Sequence, residues 1–252
     1  MSERNVALVT GSGKKRVGYH VAAALAARGY ALAVHYHTSA ADAAETAGQF
    51  TRAHGVPVHT VRADLADEAQ VRAMVAEVVA KFGRLDVLVN CAAIWNRKRL
   101  EDTTAADVRS HFDANTLGTF LSCQHAGLAM VKQPAGGCIV NVGDWAEARP
   151  YLDYAAYFPS KAAIPGLTRT FAVELGTRNP NVRVNAVLPG PVMLPPDLPE
   201  AEKWAAIDAT LVKREGSPEH VVKAVLHFID NDFVTGACLP VDGGRTVFAG
   251  GD

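Results

Sequence analysis

The chain lacks any run approaching the roughly 20 consecutive apolar residues that a bilayer-crossing helix needs. It also lacks a surplus of either charge: 25 Lys and Arg stand against 26 Asp and Glu, a formal net charge of −1. Nucleic acid and anionic membrane are therefore not expected as main partners, since both call for a basic surplus. Cysteine is scarce. Cys91, Cys123, Cys138 and Cys238 lie far apart and form no CxxC pair, which argues against a disulfide framework and against a zinc or other metal site. The start, Met1-Ser2-Glu3-Arg4-Asn5, leads straight into an apolar strand-like run. It shows no basic segment, apolar middle and small-residue cleavage site of a secretory leader, so cytoplasmic residence is the expectation. Repeats, low-complexity tracts and long charge runs are also missing. What remains is a 252-residue chain, 49% hydrophobic, expected to form one soluble domain over 1–252 that acts on a small molecule.

Short apolar runs recur at 6–9, 31–34, 58–61, 87–89, 138–142, 182–187 and 237–240. Runs apolar on both sides suit a parallel sheet covered on two faces. Between them lie amphipathic stretches such as 17–28, 40–54, 68–82 and 218–229. This repeated alternation predicts an α/β fold, a Rossmann-type doubly wound parallel sheet of about seven strands with helices on both faces. The one irregular region is 189–199, with five prolines and one glycine, followed at 201–211 by a possible short helix. Residues 191–214 read as a flap over a pocket; the plainer alternative is a surface excursion without a role.

The first run enters Thr10-Gly11-Ser12-Gly13-Lys14-Lys15-Arg16-Val17-Gly18 and then a helix. Such a turn lets backbone approach a pyrophosphate held by N–H groups at the helix N-terminus, although a tight turn serving only packing looks the same. The second run ends Val34-His35-Tyr36-His37-Thr38-Ser39, with no acid before Asp42. A carboxylate there would select NADH by binding the ribose 2′-hydroxyl; its absence, together with His37, Thr38, Ser39 and the cationic Lys14-Lys15-Arg16, favours NADPH and its 2′-phosphate. Asp64-Leu65, after the third run, is placed to read an adenine. It is equally placed to cap a helix beginning near Asp67.

Tyr157-Phe158-Pro159-Ser160-Lys161 sets a phenol and an ammonium four residues apart, on one face if a helix starts here. Pro159 is tolerable only in a first turn, which puts Tyr157 near the N-terminus. A neighbouring Lys⁺ favours phenolate and brings the phenol towards acid–base use near neutrality. Alone, the spacing also describes an exposed aromatic and a solvated lysine.

The turn at 10–18, Asp64, Asn90-Cys91-Ala92-Ala93, Asn115, Tyr157 with Lys161, Pro189-Gly190 and Val241-Asp242-Gly243-Gly244 follow in one order. From Val6 to Gly244 the chain resembles the short-chain dehydrogenase/reductase family. The resemblance implies that Tyr157 passes the substrate proton, that Lys161 binds the nicotinamide ribose, and that Asn115 anchors a water relay. It implies an NADP(H) site built from Gly11, Lys15, Arg16, Val17, His35, Tyr36, His37, Thr38, Ser39, Asp64, Leu65, Asn90, Ala92, Lys161, Pro189 and Gly190. A homotetramer, joined partly through helices flanking Asn115 and Tyr157 and partly through the C-terminal region, is implied as well.

Two departures stand out. Asp144 occupies the place of the family's serine, thirteen residues before the tyrosine, and Arg16 replaces the middle glycine of TGxxxGxG in a turn one residue longer. Both resemble the pteridine reductase subgroup, as do 35–39 and Trp95, while Ala93 departs from its trypanosomatid members. In that reading Arg16, Trp95, Asp144 and Tyr157 bind substrate: a pterin ring stacks on Trp95, Arg16 contacts a carbonyl or a phosphate, and Asp144 relays a proton with Tyr157. The alternatives are a loop cap for Asp144, a pocket wall for Trp95 and a surface cation for Arg16. An ionised Asp144 opposes Lys161, so Tyr157 is expected to remain a neutral donor. The leading expectation is NADPH-dependent pterin reduction. Its alternatives are reduction of a ketone or 3-oxoacyl substrate, and a non-catalytic NADP(H)-binding regulator.

Overall fold

Seven strands realise the apolar runs: β1 (Val6–Thr10), β2 (Ala31–Tyr36), β3 (Val58–Arg62), β4 (Val87–Asn90), β5 (Gly137–Val142), β6 (Val182–Pro189) and β7 (Cys238–Val241). They form one sheet in the order β3-β2-β1-β4-β5-β6-β7, with every pairing parallel. The computed structural model describes residues 4–248. Among them no helix is long and apolar enough to cross a membrane. The doubly wound α/β fold expected from the strand–helix alternation is the one that forms.

The helices are α1 (Val17–Ala27), α2 (Ala40–His54), α3 (Glu68–Phe82), α4 (Ala105–His111), α5 (Gly118–Val131), α6 (Tyr157–Gly176), α7 (Glu200–Asp208) and α8 (Pro218–Asp230). On one face of the sheet Leu25, Phe50 and Phe228 pack over Val9, Val34 and Val140. On the other, Met74, Met130 and Leu175 pack over Leu8, Leu88 and Ile139. Local chemistry sets the helix ends. The Asp67 side chain caps α3, while Gly55 and Gly83 end α2 and α3 in the left-handed conformation. Two expectations need correction. The runs at 58–61 and 237–240 are sheet edges rather than fully buried strands: β3 buries only Val61, and Leu239 on β7 is exposed. The apolar content of a short run cannot say whether a neighbour covers it.

The chain steps outward from β1 to β3 and returns to β4 beside β1. This reversal opens a crevice beyond the C-terminal ends of β1 and β4, where open α/β sheets bind ligands. A buried polar ladder then fixes α6 against the sheet. Asn90 Nδ2 donates to Asn141 Oδ1 at 2.9 Å, and Asn141 Nδ2 donates to Thr168 Oγ1 at 3.0 Å. It ties β4, β5 and α6 together two turns beyond Lys161.

On β2, His35 is buried with both ring nitrogens engaged. Nδ1 accepts the Gly11 N–H at 3.0 Å, which leaves Nε2 to donate to the Ala63 carbonyl at 3.1 Å. Burial pushes its pKa from 6.5 down to about 4. The unfolded chain therefore takes up this proton near pH 6.5 and the folded chain only near 4. The linked stability is fully present above pH 6.5 and is lost as pH falls towards 4. In urea titrations between those two pH values, the wild type is expected to lose roughly 3 kcal/mol more than His35→Leu. Parallel losses in the two proteins would show that His35 does not stay neutral.

Candidate active site

Tyr157 is the first residue of α6, and Lys161 lies one turn further on the same face. Both are almost wholly buried. The Tyr157 hydroxyl donates to Asp144 Oδ2 at 2.7 Å, and Lys161 Nζ donates to the Val142 carbonyl at 2.8 Å. Asp144 follows β5 and opens a short 3-10 turn, Trp145–Glu147, where its Oδ1 accepts the Ala146 N–H at 2.8 Å. The carboxyl is thus a loop cap and the phenol's hydrogen-bond partner at once.

Burial dominates the electrostatics. It raises the Asp144 carboxyl and lowers the Lys161 ammonium. Tyr157 rises well above its ordinary value, first from burial and then from Asp144. The lysine therefore does not bring the phenol towards neutrality in this protein, and Tyr157 is held as the neutral donor.

Asn115 sits in a π-helical turn, Phe112–Leu117, between α4 and α5. Its side chain accepts from Ile94 N at 2.8 Å and donates to the Ile94 carbonyl and Ser160 Oγ, both at 3.0 Å. Ser160 Oγ in turn donates to the Tyr157 carbonyl at 2.6 Å. The amide fastens the loop after β4 to the start of α6.

The β1–α1 turn fits a dinucleotide. Gly11 has φ +66°, and a Cβ there would lie 2.9 Å from Ala92 Cα. Thr10 Oγ1 accepts the N–H groups of Cys91 and Ala92 at 3.0 and 3.1 Å, pressing the loop after β4 onto this turn. Lys14, Lys15 and Arg16 are exposed beside it, Arg16 at the N-cap of α1 and followed by the half-buried Val17. Asn90 Oδ1 is buried without a hydrogen-bond partner, and Lys161 has donors beyond the one given to Val142. At the far side Pro189 ends β6, and Gly190 approaches so closely that a Cβ would meet Asp242 Cα at 2.6 Å.

The 35–39 segment divides. His35 is corrected from phosphate ligand to structural residue, because both its nitrogens are already bonded inside the fold. Tyr36 is half-buried, His37 and Thr38 are exposed, and Ser39 makes no side-chain cap bond at the start of α2. Arg62, which the sequence reading missed, adds a cation at this edge: its Nε donates to the His37 carbonyl at 3.2 Å. Pairing of Tyr36 with Arg62 across β2 and β3 brings them together. Asp64 Oδ1 accepts the Ala66 N–H at 3.0 Å, and Oδ2 lies 3.9 Å from His37. Asp64 is not the cap of α3, which is Asp67, and Leu65 is buried against Gly118.

An aromatic wall flanks Tyr157. Trp95 stacks on Tyr154 with ring centroids 5.0 Å apart and planes 7° from parallel. Tyr151 meets Tyr154 and Phe158 edge-on and lies face to face with Trp145. The Arg245 guanidinium lies 4.3 Å over the Trp145 ring. One face of Trp95 is thus already covered. The sequence reading missed Trp145, Tyr151, Tyr154 and Arg245, although five aromatics within 145–158 were a visible signal. The expected flap carries α7 and is joined at its base, where Gly216 N donates to the Pro191 carbonyl at 2.9 Å.

A family model described as Enoyl-(Acyl carrier protein) reductase matches residues 12–246. The chain is 33% identical to the 3-oxoacyl-[acyl-carrier-protein] reductase of Staphylococcus aureus, over 94% of this chain and 96% of that protein. It is 31% identical to pteridine reductase 1 of Leishmania tarentolae, over 96% of each. A crystal structure of a dehydrogenase/reductase from Sinorhizobium meliloti 1021 superposes with a TM-score of 0.86 at 34% identity, over 96% of this chain and 94% of that one. Matches of this length and identity extend along the same fold and crevice, and the chain belongs to the short-chain dehydrogenase/reductase family of oxidoreductases.

Proposed function

We propose that the chain reduces the carbonyl group of a ketone or 3-oxoacyl substrate with NADPH as the cofactor. The observation that carries this reading is the buried 2.7 Å hydrogen bond between Tyr157 and Asp144. A phenol kept neutral by burial is a proton donor, which is what a carbonyl oxygen needs as negative charge develops on it. Bound NADPH supplies the hydride. Tyr157 gives its proton to that oxygen, and the raised Asp144 carboxyl, when protonated, restores it. The buried Lys161 ammonium offsets the negative charge left between them.

Gly11, Lys15, Arg16 and Val17 surround the pyrophosphate in this reading. His37, Thr38, Ser39 and Arg62 hold the 2′-phosphate beside Tyr36, and Asp64 with Leu65 flanks the adenine. Asn90, Ala92, Lys161, Pro189 and Gly190 border the nicotinamide half. One relative supports the acyl reading: the Staphylococcus aureus protein is a 3-oxoacyl-[acyl-carrier-protein] reductase.

A second reading, pterin reduction, is favoured by two specific observations. Asp144 stands where the family pattern has serine, and the partly exposed Trp95 ring borders the same site. A flat heterocycle gains dispersion on such a ring, and Arg16 is near enough in sequence to the crevice to orient it.

Assembly is proposed as a homotetramer. Phe112, Leu117, Phe120 and Leu167 line an apolar hollow of about 370 Å³ on the α5–α6 side, and β7 leaves a sheet edge open. Surfaces of this kind mark contacts between copies.

Tyr157→Phe is expected to lower kcat by about 10²- to 10⁴-fold with the fold intact, read from NADPH oxidation and circular dichroism. A variant with wild-type turnover would remove Tyr157 from the chemistry. Oxidation of NADPH by 3-oxoacyl thioesters and ketones, but not by dihydrobiopterin or dihydrofolate, is the expected panel result. The reverse pattern selects the pterin reading, and an inactive panel with tight NADPH binding selects the non-catalytic one. Where pterins do turn over, Asp144→Ser is expected to shift the preference from pterins towards carbonyls. An unchanged ratio would show that Asp144 does not set selectivity.

A further inference from the structure

Arg97 lies two residues beyond Trp95 and meets carboxylates from two distant parts of the chain. Its Nε and Nη2 reach Asp153 Oδ2 at 3.2 and 3.1 Å, and its Nη1 donates to both Glu202 oxygens at 3.4 and 3.2 Å. Each carboxylate belongs to a different wall of the site. Asp153 adopts a left-handed φ of +71°, and its carbonyl accepts the Lys98 N–H at 2.8 Å. The next residue, Tyr154, is bridged to Lys98 and carries the ring on which Trp95 stacks. Lys98 is itself fixed to Asp107 at 2.7 Å.

Glu202 lies in the first turn of α7, the helix carried by the flap. No residue of α7 is fully buried, although Lys203, Ala206 and Ile207 are half-buried. Just past its end Leu211 and Val212 donate their N–H groups to the Gly243 carbonyl at 2.9 and 3.3 Å, whereas at its start it is Glu202 that ties it to Arg97. The flap's base is stitched separately, by Gly216 to Pro191 and by Leu194 N to Glu215 Oε1 at 3.2 Å. Arg97 adjoins Lys98, which pairs with Tyr154, so its bond to Glu202 brings the first turn of α7 towards the aromatic wall.

We propose that Arg97 is a positioning residue that latches α7 over the Trp95–Tyr154 wall, so that closing the flap and setting the wall are one event. A guanidinium suits this role because its planar fork serves two carboxylates at once. Exposed ion pairs are weak and salt-screened. The latch is therefore light, adding little to global stability while shifting a local opening equilibrium by about three- to fivefold. The proposal rests on the site and not on which acceptor the site reduces.

Limited trypsin proteolysis of the full chain tests it, since Lys203, Lys213 and Arg214 lie on the flap. Glu202→Gln is expected to be cut there about three- to fivefold faster at low salt, with an unchanged unfolding midpoint. Wild type in roughly 0.5 M salt should match that rate. Glu202→Asp should regain salt-sensitive protection, and Glu202→Gln combined with Arg97→Ala should be cut no faster than Arg97→Ala alone. With whichever acceptor turns over, Glu202→Gln should raise KM without lowering kcat. Wild-type cleavage of Glu202→Gln, additive rates in the double variant, or a lowered midpoint would overturn the latch. Because proteolysis needs no substrate, an inactive acceptor panel would count against the function proposed above and leave this result to stand separately.

Discussion

A phenol and a carboxyl sharing a hydrogen bond out of reach of water set the terms for everything around them. Removing ionisable groups from water disfavours their charged forms, and Asp144, Tyr157 and Lys161 each move in the direction burial moves them. Burial draws both groups towards their neutral forms, and the Asp144 carboxyl takes up a proton more readily than an exposed aspartate does. The pair's geometry is not free to drift, because Asp144 spends its other oxygen on Ala146, and Lys161 is tied to the strand that leads into Asp144. The two titrate as a unit, and a serine in place of Asp144 would keep a hydrogen bond but remove a proton store.

The rest of the fold explains how so buried a pair can face a cofactor. The reversal between β1 and β4 opens the crevice, and glycines let its two lips nearly touch. His35 belongs to this framework. It anchors the amide of Gly11 from below, and its neutral ring adds no charge behind the glycine turn. The cationic edge is made by residues that remain in water: Lys14, Lys15, Arg16 and Arg62.

On the substrate side, rigidity and looseness are divided. The wall of Trp95, Tyr151 and Tyr154 is packed ring on ring, whereas α7 has no fully buried residue and is held by Arg97 at its start, by the Gly243 carbonyl beyond its end and by the joined base of the flap. A fixed wall with a lightly attached cover suits a site that must admit a substrate and then exclude water around it.

Much of this was legible in the residues. Alternating apolar runs and amphipathic stretches are local signals, and α2 and α3 span the stretches 40–54 and 68–82 expected of them. The i, i+4 spacing and Pro159 placed Tyr157 at the start of α6 before any contact was known. The buried status of β7 was not legible, since nothing within four residues says which strand is last in a sheet.

The role of His35 was also hidden, because a histidine at a strand end looks the same whether its ring turns out to a phosphate or in to Gly11. By itself, then, the sequence determined the strand–helix order, the glycine turn and the spacing of phenol and ammonium, all of which depend on neighbours along the chain. Only the tertiary structure decided that Asp144 both caps a turn and holds Tyr157, and that Arg97 joins Asp153 to Glu202. Those contacts lie up to 105 positions apart, and side-chain direction at such separations is set by packing rather than by local preference.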